Sequence, residues 1–352
     1  MSYRPVLRTA RTTIFLCGLL VAACDYTSPS SSDVAGEDDL PVSLEELSSW
    51  YSAVPEAENA ALLLIRAGDS HRDPDAASKP GLPLAGDAKL PPPGMPLTND
   101  MRAAIGQYLV SNDIALGTIA RAAKLDKSRF PIDLTKGMDT DLAHLASCRT
   151  LVRLQCLSAV AKANSGDAAA AHSRLRDVLV TSNALRYEPL LISQLVRITC
   201  HLIAAESIEY SADRVDFTEA QLAELQKLAG EWEDPELLYR AYVGERCLSV
   251  SWLSDPANAE RDDGPNVQLP PEMYSKRGVD AVIKHYQMLF SASKLPSRER
   301  REELSILADA GPEPRSDSFD DLTAASLSPI AAVHQAHDAD TATSRTRSIR
   351  IH

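Results

Sequence analysis

The sequence predicts an all-α protein, arranged either as an irregular helical bundle or as a short stack of α-hairpins. Three observations lead there. From Asn99 to about Ala310, apolar residues recur at three- and four-residue steps, the spacing of one face of a helix. No stretch alternates with the period of two that a half-exposed sheet requires. Aromatic residues make up only 5% of the 352, whereas alanine and leucine abound.

The elements follow in chain order. Arg4, Arg8 and Arg11 precede the first acidic residue, Asp25, and are followed by ten apolar or small residues, Ile14 to Ala23. That run is about half of the roughly twenty residues a membrane-spanning helix needs, so charge and length together describe an export signal. Val21-Ala22-Ala23-Cys24 resembles the bacterial lipobox, in which an aliphatic residue and two small residues precede a cysteine whose sulfur takes a diacylglycerol. Residues 1–23 are therefore expected to be a lipoprotein signal peptide, with Cys24 as the lipidated first residue of the mature chain. The partner implied is a bacterial membrane, reached through the N-terminal lipid on the extracytoplasmic face.

Residues 24–42 are rich in Ser, Asp and Glu and read as a disordered tether, with an average span of roughly 25 Å for a flexible coil of that length. Residues 43–310 read as the all-α domain. Ser43 with Glu46 forms a capping-box pattern ahead of Leu44 and Leu47, and a second helix is expected from Glu56 to Ala67. Residues 68–99 hold seven prolines and four glycines, which excludes helix and central strand; disorder or an extended surface wrap is expected. Helices at about 142–164 and 167–186 are joined by "NSGD", where Gly166 can take a left-handed turn and Asp167 can cap. This pair resembles a tetratricopeptide-type hairpin, although no second copy follows at that repeat's period. The apolar run from 189 to 208 is interrupted by Gln194, Arg197, His201 and Glu206, which makes it a central core helix rather than a membrane span, with Leu195 at the middle of its widest apolar face. Thr218 with Gln221, Asp234 with Pro235, and Ser275 open the remaining helices. Residues 311–352 are too polar to dock and read as a mostly disordered tail.

Loss of residues 1–23 leaves 33 basic against 49 acidic side chains, a formal charge of −16 on the mature chain. Such a chain has no electrostatic route to nucleic acid. Cys148, Cys156, Cys200 and Cys247 remain, an even number that permits two disulfides in an oxidising compartment. Cys148 and Cys156 cannot bridge each other, being about 12 Å apart along one helix. All four sit in apolar helical stretches, so buried free thiols are the simpler reading.

Signs of chemistry are sparse. The chain holds no GxSxG elbow, P-loop or GxGxxG turn, and no cofactor is implied. His334 and His337 with Asp338 and Asp340 have metal-ligand spacing, but in the polar tail nothing fixes their geometry, so no metal is assigned. His172, His201 and His285 lie on expected helices outside any HExxH frame and read as structural. Glu231 and Glu233, with Asp234 beside Trp232, are the weak alternative: carboxylates near an aromatic wall, as a hydrolase acting on wall glycan would use.

Five phrases occur in order: "WYSAVPEAENAA" from Trp50, "RFPIDL" from Arg129, "GDAAAA" from Gly166, "EPLLISQLVRITC" from Glu188 and "YRAYVGER" from Tyr239. Together they resemble the membrane-anchored helical proteins of planctomycete-type bacteria, over roughly residues 44–255. The resemblance implies helical architecture and membrane attachment and brings no catalytic residue with it. Members of that class continue into a further helical segment where this chain passes into "TATSRTRSIRIH", which raises the expectation of a truncated C-terminus. The function expected is that of a non-catalytic protein-interaction or scaffold module at the cell envelope, with a protein or peptide partner.

Overall fold

A computed structural model describes residues 40–92, 94–230, 235–260, 271–295 and 297–309. The signal segment, Cys24 and most of the tether lie outside these residues, as does the tail from 310 onward. The described chain is all-α: apart from isolated bridges it contains helices, 3₁₀ turns and loops.

Helix α1 (Leu44–Trp50) starts as its capping box dictates. Ser43 Oγ accepts from the Glu46 amide at 3.1 Å while the Glu46 carboxylate accepts from the Val42 and Ser43 amides, and Leu44 and Leu47 are buried. The expected second helix is divided. Glu56–Glu58 form a 3₁₀ turn, and α2 (Ala60–Ser70) begins only after Asn59. The reason is that Asn59 has two tasks. Its side chain caps Ala61 and also pairs with the backbone of Arg129, accepting at 2.9 Å and donating at 2.8 Å.

Of residues 68–99, expected to be free of helix, Gly68–Ser70 continue α2, Lys79–Gly81 form a 3₁₀ turn and Asn99 opens the next helix; the described residues between follow the extended wrap, one of the two expectations, and are held down at specific points. Leu82 and Leu97 are buried, the His71 ring and the Tyr108 hydroxyl are 2.7 Å apart, and Asn112 accepts from the Arg72 amide and donates to its carbonyl. Those bonds also explain why the apolar recurrence that starts at Asn99 is broken at Asn112 into two helices, α3 (Asn99–Ser111) and α4 (Asp113–Ala122). The Asn112 side chain is spent on the wrap, and its backbone leaves helical geometry.

The hairpin of α5 (Ala143–Asn164) and α6 (Ala168–Ser182) is turned as its sequence requires. Gly166 has φ +78°, and Asp167 accepts from the Ala170 amide at 3.0 Å. Then follow α7 (Leu191–Ala212), α8 (Glu219–Gly230), α9 (Pro235–Ser254), α10 (Lys276–Ser293) and α11 (Ser297–Asp309). Among the described residues the main apolar core runs from Leu44 to Leu307, with a small separate cluster of Ala163, Ala171 and Val215. By length and composition α7 could cross a membrane, but it packs against α5, α6 and α9, with 61% of its most apolar window buried.

The face of α7 differs from the expectation. Leu195 is only partly covered, whereas three of the four polar residues read as interruptions, Gln194, Arg197 and His201, are at most 3% exposed. Helical periodicity assigns polar residues outward, but these three face the turn before the helix, whose backbone and side chains satisfy them.

Candidate functional site

Pro189 prevents α6 from running on into α7, and the chain crosses between them through a 3₁₀ turn at Asn183–Leu185 and an extended Leu190. This junction is tied from three sides. Glu188, 1% exposed, accepts from Ser193 Oγ at 2.7 Å and meets His144 Nε2 at 3.0 Å. Gln194 donates to the carbonyls of Leu185 and Glu188 and accepts from Arg197 Nε at 2.8 Å. Arg197 and His201 both reach Asn183 Oδ1, at 3.3 and 3.2 Å. From α9, Glu245 accepts from the Leu191 amide at 2.9 Å, and Gly244 lies against the Pro189 backbone. A buried polar network of this kind favours one conformation, because a member that lost its partner would carry its desolvation cost.

A second layer extends the network. Phe130 stacks on the His144 ring at 4.4 Å, and its amide donates to the Tyr51 hydroxyl at 3.2 Å. Burial, followed by the nearby Glu188 carboxylate, raises the Tyr51 pKa. Arg129 lies 4.5 Å over the Tyr51 ring and donates to the Tyr51 carbonyl. Four of the five phrases quoted above therefore converge on this junction, although they are spread over about 200 residues of chain.

Outside it is an aromatic–arginine face. Tyr187 is 46% exposed, with the Arg186 guanidinium 5.4 Å from its ring centre. Arg240 of α9 lies 4.4 Å over Trp50 of α1 and 5.8 Å from Tyr187, steered by an ion pair to Glu236 at 2.8 Å. Trp, Tyr and Arg are the residue types that dominate binding energy at protein interfaces. Here they are contributed by three elements and held on a rigid junction.

Ser193, Glu188 and His144 are the residue types of a nucleophilic triad, but the wiring differs. The carboxylate is the centre on which both others converge, and Ser193 is fully buried, so its hydroxyl cannot meet a substrate. Of the residues singled out from sequence, Cys24, the glycan-hydrolase candidates Glu231 and Glu233 with Trp232 and Asp234, and the His334–Asp340 cluster lie outside the described residues. The four cysteines are free and buried, and burial pushes the Cys200 and Cys247 thiols up to about 12 and raises those of Cys148 and Cys156. They are unreactive core residues. His172 pairs with Glu224 at 3.3 Å. His285 departs from the expectation of a hydrogen-bonded structural histidine. It is 2% exposed, neither ring nitrogen has a partner among the described residues, and burial pushes its pKa down to about 4, so the ring is held neutral.

The aromatic–arginine face was not marked as a set in the sequence. Its one signal was the presence of Trp50, Tyr187 and Arg240 within or beside three of the quoted phrases. Comparison with protein-family models, with curated proteins and with solved structures finds no match to this chain.

Proposed function

We propose that this chain is a lipid-anchored, extracytoplasmic helical protein that binds a protein or peptide partner at the cell envelope and performs no chemistry on it. The observation that carries the reading is the Trp50–Arg240–Tyr187 face mounted on the buried Glu188 junction. Its members are preorganised, so little side-chain entropy remains to be lost when a partner covers them. A lipid on Cys24 and a tether of the length read from the sequence would keep the face near the membrane, where restricted diffusion raises the effective concentration of any partner held there.

The test is quantitative crosslinking in the native membrane, comparing wild type with the double variant Tyr187→Ala/Arg240→Ala. The Arg240–Glu236 pair is a surface ion pair, so its loss should cost at most about 1 kcal/mol of stability. Loss of two interface anchors should instead reduce partner recovery by a factor of about 30 or more, corresponding to 2 kcal/mol. An unchanged partner set would contradict the face. Release of wall fragments by the purified chain, abolished by Glu231→Gln/Glu233→Gln, would replace the whole reading with a hydrolase.

A further inference from the structure

Away from that face, a cleft of 360 Å³ opens among α4, α5 and α6. On a chain of net charge −13, its charged lining is Lys124, Lys162, Arg174 and Arg176 against one carboxylate, Asp177. Asp177 is 5% exposed and holds Arg176 at 2.9 Å, which consumes one positive charge and fixes one guanidinium. Lys124, Lys162 and Arg174 have no ion-pair partner among the described residues. Three like charges remain around one concavity, with the Ser173 hydroxyl among them. Lys124, in the turn after α4, and Lys162 are exposed and Arg174 is half-buried; Asp177 also acts on Arg174 and Lys124, so the lining presents an excess of positive charge to solvent.

We propose that this cleft is a binding site for a phosphate-bearing anion. The charge count selects the ligand. A lone carboxylate offsets one of three charges, whereas a phosphomonoester or diphosphate offsets two or three and offers several acceptor oxygens to the planar Arg forks and the Ser173 hydroxyl. The volume is at the small end of the range for small-molecule sites, too tight for a helical peptide and adequate for a phosphorylated headgroup or a diphosphate. Helices α5 and α6 are joined by the short Gly166–Asp167 turn, so Lys162 and Arg174 are brought to the cleft by the two arms of one hairpin.

The test is titration calorimetry on the purified full chain at low salt, with inorganic pyrophosphate in one arm and glycerol 3-phosphate, the soluble phosphomonoester headgroup of phosphatidic acid, in the other. Saturable binding of pyrophosphate is expected, weakened by added salt and at least tenfold weaker in Lys124→Gln/Arg174→Gln. Preferential binding of glycerol 3-phosphate, lost in the same variant, would support the same phosphate chemistry with a lipid headgroup as its source. If the double variant fails to fold, Lys162→Gln alone makes the same comparison. Absence of saturation in both arms, or equal affinity in wild type and folded variant, would overturn the proposal.

Discussion

Gly244→Ala should lower the thermal midpoint by roughly 6–12 °C, at the 2–4 °C per kcal/mol expected for a domain of this size. The sign is informative, because on helix propensity alone the change should stabilise by about 1 kcal/mol. What opposes it is contact. A Cβ on Gly244 would lie 2.8 Å from the Pro189 carbonyl carbon and closer still to its oxygen. Both are backbone atoms of the α6–α7 junction, so neither can turn aside, and α9 must separate from the junction. That separation would also stretch the Glu245 bond to the Leu191 amide. A loss of about 3 kcal/mol or more is expected, at the upper end for overpacking. Gly106→Ala in α3 and Gly117→Ala in α4 are the controls: an added Cβ meets nothing within 4 Å at either, and both should be neutral or slightly stabilising. Thermal denaturation followed by circular dichroism distinguishes the cases, and a Gly244→Ala protein that melts at or above wild type would refute the tight contact.

Glu188→Ala should be comparably damaging. It removes the acceptor of Ser193 Oγ and the partner of His144 from a site that is 1% exposed, leaving two buried donors and a cavity. Each buried donor left without its acceptor typically costs about 1–3 kcal/mol, and the cavity adds to that. Glu188→Gln preserves shape and one acceptor oxygen and should lose less than half as much. An equal effect from both substitutions would mean that the carboxylate matters for its charge alone. A Glu188→Ala protein as stable as wild type would mean that the junction is not held by this network.

Local signals in the sequence were sufficient where a bond closes within a few residues. Ser43 with Glu46, Thr218 with Gln221, Gly166 with Asp167, and Ser275 all mark helix starts or turns that the structure contains. What could not be read depends on partners far along the chain. Gln194, Arg197 and His201 break the apolar pattern of α7, and only the preceding turn, with Asn183 and the free carbonyls of Leu185 and Glu188, makes them interior residues. Gly244 is an unremarked helical glycine until Pro189 is placed against it. Composition excluded helix from residues 68–99, yet α2 runs on to Ser70, Lys79–Gly81 form a 3₁₀ turn and α3 starts at Asn99; the anchoring of the stretch between the helices depends on Asn112 and Tyr108. The aromatic–arginine face is a three-way meeting of Trp50, Tyr187 and Arg240, and no spacing within one segment encodes it.

The central claim is that a binding module is held at a membrane by its own N-terminal lipid. Its most direct test is metabolic labelling with an alkyne fatty acid, followed by membrane fractionation, of wild type and Cys24→Ser. Wild type should carry the label and sediment with membranes, since two or three acyl chains make attachment effectively stable, and Cys24→Ser should be unlabelled. Equal labelling of the two proteins, or an unlabelled wild type, would contradict the claim.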